Sequence, residues 1–278
     1  MDEKMYLLDK FHNKYIIEGE LVAESPICIG AGGNDFKPTA TDNPIIRDEK
    51  GNPFIPGTSL KGVIRLFIER ILSADIIEGL TSCNILIDKK QKNCICNEDI
   101  QNIKKDPEKY AKDKGYTDLD SSDKEKMISM LIYMGQCDVC KIFGGHGFGS
   151  KIKINDAKLI GDKAIIQRRD GVAIDRETLT ALDGHKYDFE CVAPGTRFNF
   201  SMTVDNLDDK HKKLLKVIIN VLKNSEISVG GKTSVGLGNI KLNNMKICEI
   251  KDKDKLSKYY LNEINENEFK EELQCLDN

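Results

Sequence analysis

Hydrophobic residues along this chain fall into a few runs whose spacing is readable. KYIIEGELVAESPICIG (14–30) is rich in β-branched residues and partly alternates, as a half-buried strand does. It leads into AGGNDFKPTATDN, a loop rich in Gly, Pro and Asn. PIIRD gives a short strand, EKGN a turn and PFIPG a second short extended piece. Thr58 is placed as the N-cap of a helix, SLKGVIRLFIERILS, in which Leu60, Ile64, Phe67, Ile68 and Ile71 recur on one face. Lys61 and Arg65, one turn apart, share a different face.

Residues 81–136 change character, becoming rich in Lys, Asp and Asn around one predicted helix at 122–134. They read as an insertion, 81–142. KIKINDAKLI returns to a strand pattern, and 164–190 reads as a long irregular hairpin. TRFNFSMTVD (196–205) alternates cleanly, and DDKHKKLLKVIINVLKN is an amphipathic helix with Leu214, Leu215, Ile218 and Leu222 inward. A glycine-rich turn, VGGKTSVGLG, precedes the last strand, NIKLNNMKI. With insertion and hairpin set aside, the order is strand, helix, strand, strand, helix, strand. That order predicts one α+β domain with a ferredoxin-like βαββαβ core (about 14–80 and 143–245), an arrangement also used by RNA-recognition folds.

Composition narrows the class. The 40% hydrophobic and 31% charged fractions are those of an ordinary globular protein, and no run approaches the roughly 18 apolar residues of a membrane helix. The start, MDEKMYLLDKFHNKY, lacks the apolar core of a secretory signal, so the expected location is the cytoplasm. Net charge is −3, yet it is uneven. Residues 151–169 carry six basic and two acidic side chains, 229–246 carry three lysines and no acid, and the tail (248–278) is acid-rich. Such a division fits an RNA-contacting face on a protein with protein neighbours.

A reducing compartment argues against structural disulfides among the nine cysteines. Cys28, Cys191 and Cys248 sit in apolar, strand-like contexts and read as buried small hydrophobes. Five others cluster in sequence. Cys137-x-x-Cys140 and Cys94-x-Cys96 can each present two thiolates, together a four-cysteine zinc site that would hold down an insertion with little core of its own. Cys83 can substitute for either Cys94 or Cys96. Unbound thiols are the alternative, whereas a redox CxxC needs a thioredoxin-like context that is absent.

GGKTS (230–234) is not a P-loop, because Glu226 stands where that motif needs its first glycine. The remaining glycine spacing either lets backbone amides approach a phosphate chain or makes a plain tight turn. His146 and His185 are isolated. Pro56-Gly57 turns into a helix start with Thr58, Ser59 and Lys61, where free amides, the helix dipole and a lysine suit an anion. Asp42 ends the long first loop, before Asn43-Pro44, and either caps a turn or is an acid held near a ligand.

In order, ICIGAGG, TDNPIIRD, FIPGTSLKGVIR, RRDGVAIDRET and VGGKTSVGLGNIKL resemble the RAMP superfamily backbone subunits of type III CRISPR effector complexes, of Csm/Cmr type. The form with a CxxC-x-FG element, here CDVCKIFG, is the most similar, and the likeness spans about 14–245. It implies a crRNA-binding subunit that stacks with other copies of itself and with other effector subunits, its thumb hairpin (164–190) wedged between guide and target RNA. The implied RNA contacts are Gly32 and Gly33, Ser59, Lys61 and Arg65, the thumb residues Arg169, Ile174, Asp175 and Arg176, and the turn residues Gly230, Gly231, Lys232, Gly236 and Gly238. Asp42 is the implied target-cleaving endoribonuclease residue, acting with Mg²⁺ or a similar ion, with Asp35 and Asp48 in reserve. Two alternatives stand beside this: a non-catalytic guide scaffold or terminal subunit, and a zinc-dependent protein-interaction module.

Overall fold

The computed structural model describes residues 7–31, 41–83, 94–116, 123–261 and 263. In chain order its elements are β1 (Lys14–Ala23), β2 (Phe54–Ile55), α1 (Gly57–Ser73), α2 (Asn97–Lys105), α3 (Pro107–Asp113), α4 (Lys124–Met134), α5 (Asp138–Phe143), β3 (Ile152–Ile154) and β4 (Ala157–Lys158). They continue with β5 (Ile166–Ile174), β6 (Ala181–Val192), β7 (Arg197–Asp205), α6 (Asp209–Lys223), β8 (Ile227–Ser228), β9 (Asn239–Ile250) and α7 (Lys253–Tyr260).

β1 is the centre of a mixed α and β fold. It pairs antiparallel with β7 on one edge and β9 on the other, in a five-stranded sheet ordered β3-β7-β1-β9-β8. Alternation sets which face is buried: Tyr15, Ile17 and Leu21 of β1 join Phe198, Phe200 and Met202 of β7 and Leu242 and Ile247 of β9 in one core. Leu60, Ile64, Ile68 and Leu72 of α1 and Leu214, Leu215, Ile218 and Leu222 of α6 close it from above. Each such side chain contributes about 1.5–3 kcal/mol when withdrawn from water. Gly19 marks a bulge against β9, where an added Cβ would lie 2.8 Å from Leu242 and 2.9 Å from the Asn243 carbonyl.

Several expectations are corrected here. Thr58 does not cap α1. The helix begins at Gly57 behind Pro56, and the Gly57 amide donates to Asp156 Oδ1 at 2.8 Å. Gly57 is required there, since a Cβ would lie 2.3 Å from the Ile154 carbonyl. Among the described residues of 81–136 there are three helices, α2–α4, where one was expected, and they enclose a small core of Ile95, Ile100, Ile103, Ala111, Met127, Leu131 and Ile132. Within the acidic tail, β9 runs on to Ile250 and α7 follows, Leu256 and Tyr259 packing against Ile16, Cys248 and Ile250. Cys28 and Cys191 are not separate thiols but a disulfide, because the Ile27–Val192 bridge brings their backbones side by side. Among the described residues no helix is long and apolar enough to cross a membrane.

A buried charge cluster ties the α5 segment to the start of α6. His211, 1% exposed, lies with Nε2 3.0 Å from Asp138 Oδ1 and Nδ1 2.8 Å from Asp208 Oδ2. Asp138 also accepts from the Thr81 amide and hydroxyl and pairs with Lys210 at 2.9 Å. Lys151, wholly buried, donates to the Asn206 carbonyl at 2.9 Å, and burial pushes its ammonium down to about 8. Burial alone would lower the His211 imidazolium, but the hydrogen bond to Asp138 and the Asp208 carboxylate beside Nδ1 outweigh it and raise its pKa above the ordinary 6.5. A raised folded-state pKa means that the stabilisation is complete below about pH 6.5 and is lost as pH climbs through the higher folded value. His211→Ala is therefore expected to cost on the order of 2 kcal/mol at pH 6, taking the imidazolium from half-buried Asp208 and leaving buried Asp138 to Lys210 and Thr81 alone. The difference from wild type should shrink as pH rises past 6.5 and through the raised folded value, and urea melts of both proteins at pH 6 and pH 9 check this; a gap that widens with pH contradicts it.

Candidate active site and metal centre

The pairing of β1 sets the geometry of the site. At its C-terminal end, Ala23 bonds to residues 195–196 and Glu24 to Asn239, so three connections emerge together. They are the segment 24–31, the base of the β5–β6 hairpin and the glycine-rich turn before β9. The Asp42 segment packs against two of them: Ala31 N–H donates to the Pro44 carbonyl, Ile46 N–H to Ile29 and Glu190 N–H to Asn43.

Asp42 is exposed and held by a reciprocal pair of hydrogen bonds. Its amide donates to Asp188 Oδ1 at 2.7 Å, and the Asp188 amide donates to Asp42 Oδ2 at 2.9 Å. Asp188 is itself buried, and its Oδ2 pairs with the Arg168 guanidinium. The Asp42 amide, then Arg168, hold the Asp188 carboxyl below the usual carboxylate range. Asp42 therefore caps backbone 146 residues away, not its own turn, while its Oδ1 has no hydrogen-bond partner among the described residues. Asp48 does cap its own turn, accepting from Lys50 and Asn52 amides. Gly32, Gly33 and Asp35 lie outside the described residues. Sequence reasoning missed Asp188 and Arg168, whose link to Asp42 leaves no spacing signal.

The glycine-rich turn docks beside this clip. Gly230, at φ +87°, has no room for a Cβ, which would sit 2.5 Å from the Cys28 carbonyl. Gly231 N–H donates to that same carbonyl at 2.8 Å, and Gly238 N–H to Pro26 at 2.8 Å. A Cβ added at Gly236, φ +83°, would meet nothing within 4 Å among the described residues. Lys232 Nζ stands 4.6 Å from the Tyr187 ring and 4.5 Å from the Phe189 ring. The two sides of β6 thus carry different contacts: Asp188 faces Asp42, and its neighbours carry Lys232.

The hairpin beyond this base is exposed. Ile174 (62% exposed), Leu179 (78%) and Arg176 stand near its tip, where Asp175 turns the chain by accepting from the Glu177 and Thr178 amides. Arg169 Nη2 is spent on Gln167 Oε1 at 3.3 Å. The α1 basic pair turns inward instead. Lys61 Nζ donates to Ser150 Oγ at 2.7 Å, and burial, then Arg65, lower its pKa. Arg65 donates to Glu69, to the Gly144 carbonyl and to Cys140 Sγ at 3.3 Å. Ser59 is half-buried near the start of the helix. No hydrogen bond joins α1 to the Asp42 segment among the described residues.

Cys83, Cys94, Cys137 and Cys140 bring their sulfurs within 4.8 Å of one another. Four thiolates around one ion at about 2.3 Å stand roughly 3.8 Å apart, so the set fits a tetrahedral metal. Hydrogen bonding among them, chiefly through Cys137, lowers the Cys94 and Cys140 thiols and raises Cys83. Arg65 beside Cys140 offsets the negative charge that a bound ion leaves uncompensated. Cys96 is outside the set. It caps α2, its amide and thiol both 3.0 Å from Asp99 Oδ2, and Cys83 takes its place. Thr81, bonded to Asp138, anchors the segment that delivers Cys83. Metal analysis of purified variants is expected to show the ion lost in Cys83→Ser and retained in Cys96→Ser; the reverse pattern contradicts this ligand set.

Comparison with known proteins agrees with this architecture. The chain is 30% identical over 270 residues to the CRISPR system Cms endoribonuclease Csm3 of Methanocaldococcus jannaschii, covering 93% of this chain and 87% of that protein. It is similar over shorter stretches to proteins of the same description from Methanothermobacter thermautotrophicus (39% over 61 residues, 22% of this chain and 25% of that one) and Mycobacterium tuberculosis (41% over 63 residues, 22% and 27%). The RAMP superfamily profile matches residues 20–241, from within β1 to within β9. The chain belongs to the RAMP superfamily.

Proposed function

We propose that this chain is a crRNA-binding backbone subunit of a type III CRISPR effector complex and that it cleaves guide-paired target RNA. The observation that carries the reading is the exposed Asp42 carboxylate, fixed at the base of a projecting hairpin in a chain similar along nearly its whole length to a named CRISPR endoribonuclease. The strand order β3-β7-β1-β9 with helices after β1 and β7 supports a ferredoxin-like, RNA-recognition-type core. On this reading β5–β6 is the thumb, its apolar tip parting guide from target and flipping a base. The partners are crRNA, target RNA, further copies of this subunit and other effector subunits, assembled in the cytoplasm.

Flipping one nucleotide lets its ribose 2′-hydroxyl align behind the adjacent phosphate, a geometry that a stacked helix forbids. The 2′-oxygen bonds to that phosphorus as the P–O5′ bond breaks; Asp42 accepts the 2′-hydroxyl proton, and the departing 5′-oxygen takes a proton from water, leaving a 2′,3′-cyclic phosphate and a 5′-hydroxyl. The Asp42 oxygen that has no partner among the described residues would hold a divalent ion such as Mg²⁺, which would supply charge stabilisation. The guide backbone is assigned to the Gly230–Gly238 turn with Lys232 and to Ser59 at the α1 start, while Lys61, turned to Ser150, braces that helix start from within. Arg65, turned to Cys140, serves the metal centre instead. Four sulfur donors so placed would hold zinc in a tetrahedral, structural site.

With the assembled complex and Mg²⁺, Asp42→Ala is expected to slow target cleavage by at least about 100-fold while target affinity changes by less than about tenfold. Cleavage of a labelled complementary RNA, with binding measured in parallel, checks this. Undiminished cutting by Asp42→Ala makes the subunit a guide-holding scaffold.

A further inference from the structure

An exposed loop carboxylate acts at one phosphate only if something fixes it. The residues after Asp42 are fixed without Asp188's side chain: Glu190 N–H donates to the Asn43 carbonyl, and the Glu190 carboxylate accepts from the Ile45 amide at 3.2 Å and from Arg47 at 3.0 Å. Asp42 itself is held, among the described residues, by Asp188 alone. We infer that Asp188, its carboxylate pinned by Arg168, is the positioning residue for Asp42, gripping the backbone of that residue with its side chain and the side chain with its backbone. This rests on reading Asp42 as the cleaving carboxylate.

Three features suit Asp188 to that role. Both carboxylate oxygens are occupied, Oδ1 by the Asp42 amide and Oδ2 by Arg168, so Asp188 orients and does not itself ligate an ion. The strand beneath it is clamped from its other side, where Lys232 stands over Tyr187 and Phe189 and the Tyr187 ring lies so close over Gly171 that a Cβ there would be 2.3 Å from it. The Asp42 amide and Arg168 also keep the acceptor ionised through the neutral range. Misplacing a reacting group by about 1 Å costs on the order of 100-fold in rate, and the clip governs a displacement of that size.

The test uses the assembled complex, measuring single-turnover cleavage at saturating target alongside target affinity for wild type, Asp42→Ala, Asp188→Ala, Asp188→Asn and Arg168→Gln. Asp188→Ala should cleave about 100-fold more slowly with affinity unchanged. Asp188→Asn keeps a carbonyl acceptor for the Asp42 amide but turns its NH2 toward Arg168, and should cleave at a rate between those of Asp188→Ala and wild type, close to that of Arg168→Gln. Asp188→Ala cutting at the wild-type rate while Asp42→Ala is inactive overturns the inference, as does Asp188→Asn being as slow as Asp188→Ala. Cutting by Asp42→Ala at the wild-type rate removes the underlying reading instead. Should Asp188→Ala fail to assemble, Arg168→Gln decides: cleavage slowed several-fold at unchanged affinity supports the clamp, and an unchanged rate overturns it.

Discussion

Everything at the site follows from β1 being paired on both edges. A strand with two antiparallel neighbours fixes where each neighbour begins, and β7 and β9 both begin beside Ala23. The chain entering β7 is the base of the hairpin, and the chain entering β9 is the glycine-rich turn. Segments far apart in sequence are therefore delivered to one end of the sheet. The buried face that enforces this register cannot slip, because a one-residue shift would turn Tyr15, Ile17 and Leu21 toward water.

Two devices hang on that frame and are mechanically separate. One is the clip between Asp42 and β6, whose parts are charged or polar and half open to solvent. The other is the four-cysteine centre with Arg65, joined through Thr81 and Asp138 to His211 and so to the start of α6. The second stiffens the framework around α1 and α5 and puts nothing on Asp42. Arg65 shows how they divide: helical spacing pairs it with Lys61, yet its guanidinium is spent on Glu69, Gly144 and Cys140.

Local patterns in the sequence were legible where one face of an element is buried. Leu60, Ile64 and Ile68 of α1, the inward residues of α6 and the alternation of β7 follow directly from period 3.6 and period 2, whereas Phe67 and Ile71, expected inward, are half-buried and Leu72 is buried instead. What was not legible is contact chemistry between distant segments. Spacing offered Cys94, Cys96 and Cys83 as near equals, and only the fold shows Cys96 spent on capping α2. Thr58 lost the cap to Pro56-Gly57 because Asp156, a hundred residues on, supplies the acceptor. Helix α3 did carry a readable signal, Asp106 before Pro107, an N-cap followed by a proline at the first helical position. The Cys28–Cys191 disulfide depends on a strand-edge bridge that no local rule encodes.

The central claim is that a flipped nucleotide's own 2′-hydroxyl attacks beside Asp42. The most direct measurement is cleavage, by the assembled complex with Mg²⁺, of a target RNA carrying a single 2′-deoxynucleotide at one mapped cut position. The account requires that cut to vanish while cuts at the other positions continue. Continued cutting at the substituted position would mean an external nucleophile, and with it a different chemistry at Asp42.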